Sequence, residues 1–120
     1  MAIKTEVLQF LSKWRPEAEQ FIDFVPRQKN IEGMLKLGIT KNMAKQMLCS
    51  LGVENYVSGP EMDRDRGKKD IWVFGIKCKG QDVYIKIKLY DRGGSWGAKC
   101  LSFHPADRPL RYPFSRGASI

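Results

Sequence analysis

Apolar and polar positions alternate strictly along DVYIKIKLY, Asp82 to Tyr90. Val83, Ile85, Ile87 and Leu89 make one set, and Tyr84, Lys86, Lys88 and Tyr90 the other. Period two predicts a strand with one face on a core and one toward solvent. DIWVFGIKC, before it, is apolar on both faces and predicts a central strand. The intervening KGQD suits a hairpin turn. GAKCLSFHP, beyond the glycine-rich DRGGSWG, predicts a third strand with Leu101 and Phe103 inward and Cys100, Ser102 and His104 outward. If these two strands pair through the Asp91–Gly97 loop, both outward sets share a face.

The first half follows the helical period. Val7, Phe10, Leu11 and Trp14 fall on one face ahead of a break expected at Pro16, with at most one more helical turn beyond it. The chain is then expected to be extended around Phe24 and Val25, because the residue before Pro26 disfavours helix. NIEGMLKLG predicts a short helix with Asn30 as N-cap and Gly38 as its stop. Thr40 caps a second, whose stripe of Met43, Ala44, Met47, Leu48 and Leu51 reads as core. Residues 55–70, with Gly-Pro and dense mixed charge, predict a loop. The expectation is one α+β domain over 1–120: helices over 1–54, a charged loop over 55–70, and an antiparallel sheet with a C-terminal segment over 71–120.

Charge changes this picture. Residues 1–63 balance eight Lys/Arg with eight Asp/Glu, whereas residues 64–120 carry thirteen Lys/Arg against five Asp. The whole net charge of +8 therefore sits in the second half. A solvated basic surface would account for the charge, but its confinement favours a face for a polyanion, nucleic acid or an acidic partner. No apolar run reaches the roughly 20 residues of a membrane span, and the N-terminus lacks a secretory signal pattern. These features predict a cytoplasmic protein without membrane contact. Cys49, Cys78 and Cys100 are odd in number and far apart, which argues against a disulfide framework. Cys100 and His104 lack the further ligands of a zinc site, so neither metal nor cofactor is expected.

On the outward face, lysines neutralise phosphates and tyrosines offer stacking surfaces for unpaired bases. Lysines alone would also suit a guarded edge strand, but Tyr84 and Tyr90 would not. Metal-free RNA cleavage needs a base for the 2′-hydroxyl proton, an acid for the leaving oxygen and cations for the phosphate. His104, Tyr84 and Lys86 are the candidates for that chemistry. Arg27, Lys29, Lys88, Tyr90 and Arg111, the last in DRPLRYPFSRG, are candidates for holding the strand. All the positions on the alternating face are expected to be solvent-facing.

The succession LGIT, LGVENYVSGPE, DIWVFG, VYIKIKL, CLSFHP and YPF, from about Leu37 to Phe114, resembles the MqsR branch of the RelE-like toxins of bacterial toxin–antitoxin systems. The resemblance implies a small basic mRNA endoribonuclease that uses no metal and is held inactive by a cognate antitoxin. It also implies N-terminal helices packed on a small twisted antiparallel sheet. It puts the family's strand tyrosine on Tyr84 and its lysine on Lys86. A family lysine after SF falls on His104, one proton-capable cation for another. A lysine after the loop tyrosine falls near Val57 or Ser58, and a glutamine after the strand tryptophan falls on Val73. Two rival readings use the same residues: a non-catalytic RNA-binding module, and a basic protein that docks an acidic partner.

Overall fold

The computed structural model describes residues 1–115. It is α+β, with helices α1 (Lys4–Gln20), α2 (Gln28–Leu37) and α3 (Lys41–Cys49). The strands are β1 (Ile22–Phe24), β2 (Tyr56–Asp63), β3 (Lys68–Cys78), β4 (Gln81–Asp91) and β5 (Trp96–Pro105). They form one sheet in the order β1-β5-β4-β3-β2.

Helix α1 runs through Pro16 instead of ending there. Pro16 is exposed, so the hydrogen bond it forfeits is lost beside solvent, while Trp14 and Ala18 on either side are fully buried. The Trp14 indole N–H donates to Leu48 O at 2.9 Å and ties α1 to α3. Thr40 caps α3 by accepting the Met43 N–H at 3.2 Å. Ala44, Leu48 and Leu51 are buried as the stripe predicts, but Met43 is exposed. Helix α2 has Arg27, not Asn30, at its N-cap position, without a side-chain cap, and ends at Gly38, whose φ of 66° lies in the left-handed region.

The sheet is mixed rather than wholly antiparallel. The three residues of β1 pair in parallel with β5, Ile22 opposite Ala98 and Phe24 opposite Cys100. The other neighbours are antiparallel. The expected loop over 55–70 is mostly strand: β2 pairs with β3 from Tyr56 opposite Phe74 to Asp63 opposite Lys68. Gly, Pro and charge within a strand are tolerated at a sheet edge, and β2 is the edge, with its register shifting on either side of Gly59 and Pro60. Tyr56 anchors it, fully buried, with its hydroxyl donating to Gly59 O at 2.6 Å and its ring 5.4 Å from that of Phe114.

Val83, Ile85 and Ile87 of β4 and Phe74 of β3 face the helices, in a core with Val7, Leu11, Trp14 and Leu48. The opposite, outer face is open in part. The chain after β5 crosses one end of it, where a Cβ on Gly75 would lie 2.6 Å from Leu110 and from the Tyr112 hydroxyl. Asp82 holds that crossing, accepting from Leu110 N–H at 2.9 Å and Tyr112 O–H at 2.8 Å.

Candidate nucleic-acid interface

The antiparallel register sets three outer-face residues in a row, Gly75, Tyr84 and His104. The rings of Tyr84 and His104 stack at 5.5 Å with planes 29° apart. The next row is Val73, Lys86 and Ser102. Lys86 Nζ lies 5.8 Å from the Tyr84 ring centre and 3.5 Å from Glu61 Oε1 on β2. Both members of that ion pair are partly exposed, so it contributes no more than about 1 kcal/mol.

A bulge arranges the β5 side of the site. Lys86 is opposite Ser102 but Ile87 is opposite Cys100, so Leu101 is the extra residue. The expected inward and outward sets therefore change. Cys100 is buried in the core, where desolvation pushes its thiol pKa up to about 12, and Leu101 sits on the outer face. Asn30 takes the place of a neighbouring strand along this open edge. Its amide donates to Leu101 O and Val25 O, each at 3.0 Å, and its carbonyl accepts the Phe103 N–H at 3.1 Å.

His104 was expected in solvent, yet it is only 8 % exposed. It lies between Tyr84 and α2, where a Cβ on Gly33 would come within 2.6 Å of the His104 Cβ. Its Nδ1 is 2.9 Å from Pro105 O. A carbonyl only accepts, so in the neutral ring Nδ1 carries the hydrogen and Nε2 keeps its lone pair.

Lys88 also departs from expectation. Its ammonium is 2.6 Å from Asp63 Oδ2 and 3.2 Å from Asp70 Oδ2, with the side chain 4 % exposed. It is a buried tie between β4 and the β2–β3 hairpin, not a phosphate contact. The hydrogen bond from Lys88 holds the Asp63 carboxyl below the ordinary carboxylate range. Asp70 Oδ1 is buried and has no hydrogen-bond partner among the described residues, since Lys88 engages only the other oxygen.

Beside Lys86 a groove of about 670 Å³ opens across the outer face. Arg27, Lys99 and Leu101 form one bank and the β2–β3 hairpin from Glu61 to Arg66 the other, over a floor of Ile71 and Lys86. Of the candidate strand-holding residues, the groove includes Arg27 and the ion-paired Lys88. Lys29 is exposed and pairs with Asp107 at 3.4 Å, Arg111 is exposed on the C-terminal segment, and Tyr90 lies toward the other end of the sheet under Lys99, 5.1 Å from its ring centre. Arg64, Arg66 and Lys99 were missed. Two of them, Arg64 and Arg66, lie in the stretch read as a loop, in the charged turn of the β2–β3 hairpin.

Val73, at the position of the family glutamine, is 2 % exposed, and Ser58 donates to Glu61 Oε2 at 3.3 Å. Neither supplies a further proton carrier. Among the described residues no three His, Cys, Asp or Glu side chains are grouped to hold a metal ion. No helix of the described residues is long and apolar enough to cross a membrane. Comparison with family models, curated proteins and solved structures found no match to this chain.

Proposed function

We propose that the protein is a metal-independent endoribonuclease acting on single-stranded mRNA, a toxin of the RelE-like kind, MqsR branch, kept inactive by a cognate antitoxin. The observation that carries this reading is the stacked Tyr84–His104 pair, with Lys86 in the next row and a basic groove alongside. Helices packed on one sheet of an α+β fold support the reading at the level of fold class. In the proposed reaction His104 Nε2 accepts the 2′-hydroxyl proton, and the 2′-oxygen attacks the adjacent phosphorus. Lys86 stabilises the charge that gathers on the phosphate. Tyr84 gives its proton to the departing 5′-oxygen, leaving a 2′,3′-cyclic phosphate and a 5′-hydroxyl. Arg27 and Lys99 position the neighbouring phosphates.

One feature favours a second reading, an RNA-binding module without catalysis: α2 covers most of His104. Single-turnover cleavage of one labelled RNA separates the two. Tyr84→Phe and His104→Gln should each slow cleavage by about 100-fold, the usual contribution of one proton carrier. RNA affinity should hold in both, and the reaction should continue in excess EDTA. Full activity in both variants sinks the catalytic assignment, and no cleavage by the folded native protein leaves the binding module.

A further inference from the structure

We propose that a second cavity, at the Trp96 end of the sheet, is a nucleotide site that seats an unpaired base among aromatic rings with its phosphate on Lys68 and Lys69. This cavity measures about 440 Å³, within the roughly 300–1,000 Å³ usual for small-ligand sites. It lies between α1 and the far ends of β3 and β4, where Asp91 pairs with Trp96, whereas Tyr84 and His104 pair near the opposite end. Phe10 and Trp72 stack within its wall at 4.7 Å, and Leu89 and Tyr90 extend the apolar lining. Trp96 stands at its mouth, 57 % exposed, a large ring left in water.

The charges around this mouth are unequal in availability. Each acid is already engaged: Glu6 accepts the Ile3 N–H at 2.9 Å, Asp70 holds Lys88 at 3.2 Å, and Asp91 accepts the Gly93 N–H at 2.9 Å. The cations Lys13, Arg66, Lys68 and Lys69 are exposed and form no ion pair among the described residues. Flat rings beside uncommitted cations fit a ligand that is both aromatic and anionic, and a nucleotide joins the two properties in one small molecule. Arg66 and Lys88 line both this cavity and the basic groove, so a strand lying in the groove could continue into it. That continuity rests on the polyanion reading of the groove, but mononucleotide binding in the cavity does not.

Calorimetric titration of the full chain with adenosine 5′-monophosphate, adenosine and inorganic phosphate tests the site. The monophosphate should bind more tightly than either half. Trp96→Ala and the double variant Lys68→Ala/Lys69→Ala should each weaken it about tenfold, as one lost stacking or phosphate contact implies. Trp96→Phe should keep most of the affinity, because it keeps a ring. Trp96 is exposed, so thermal melts should show all these variants folded. No binding in the millimolar range, or equal binding by Trp96→Ala, overturns the proposal. So does binding of an acidic tyrosine-bearing peptide in place of the monophosphate. A parallel titration with hexaadenylate reports the groove: affinity unchanged by Arg27→Ala/Lys99→Ala would defeat the groove reading while the monophosphate result still stands.

Discussion

Lys88 shows how one residue's surroundings change its role. Its neighbours on the sequence mark it as one more outward cation, but two carboxylates close over it. Lys88→Met would leave Asp63 and Asp70 facing each other with no cation between them, at a cost of about 3 kcal/mol. Denaturant unfolding of the variant should show a loss of that size, whereas Lys86→Met, from a partly exposed pair, should shift stability by under about 1 kcal/mol. The same ties predict acid sensitivity. Asp63 is held low by Lys88. For Asp82, burial pushes the carboxyl up, but Leu110 N–H, Tyr112 O–H and Lys77 outweigh it and leave a net downward direction. A carboxyl depressed in the folded state adds stability above its unfolded pKa, near 3.9, and that stability is lost as pH falls through the folded value. The unfolding midpoint should therefore drop below about pH 4, and Asp82→Asn should lessen that drop.

At the scale of elements, the site depends on how α2 meets β5. Asn30 satisfies two backbone groups of β5 around the bulge, and these have no strand beside them once β1 has ended. Asn30→Ala should cost about 2 kcal/mol through unpaired buried groups, and on the proposed nuclease reading slower cleavage should accompany it because the bulge sets the Ser102–His104 register. Gly33 makes the closest approach of α2. Any side chain there must displace His104 or the helix, so Gly33→Ala should lower stability by about 1–3 kcal/mol. Comparing both variants by thermal melts and single-turnover rates separates support of the fold from placement of the ring. Equal rates in both would mean that the position of His104 does not matter to the reaction.

Across the whole molecule, the folding of β2, β3, β4 and β5 brings Arg64, Arg66, Lys86, Lys88 and Lys99 from the basic half of the chain to one groove. Engagement of about three phosphates by Arg27, Lys86 and Lys99 gives an expected log–log slope of affinity against salt near −2 for single-stranded RNA. Filter binding over a range of salt concentrations measures that slope. A slope near zero would indicate that the groove does not carry phosphates.

Local information sufficed wherever one period dominated. The alternation of Val83–Tyr90 identified β4 and its buried set, the positive-φ pair Lys79 and Gly80 turns the chain where KGQD said it would, and Thr40 caps α3. The sequence also placed Tyr84, Lys86 and His104 on one face, since period two with hairpin pairing leaves little choice. It could not reveal that β2 is a strand, because its polar residues are acceptable only where β3 offers an edge. Nor could it foresee the parallel β1, the bulge at Leu101, or the burial of Lys88 and His104. Each of these depends on partners distant in the chain: β5 for β1, Asn30 for the bulge, Asp63 and Asp70 for Lys88, Gly33 for His104. Sequence patterns carry the periodicity of an element, whereas burial of a polar group is set by whichever distant groups satisfy it.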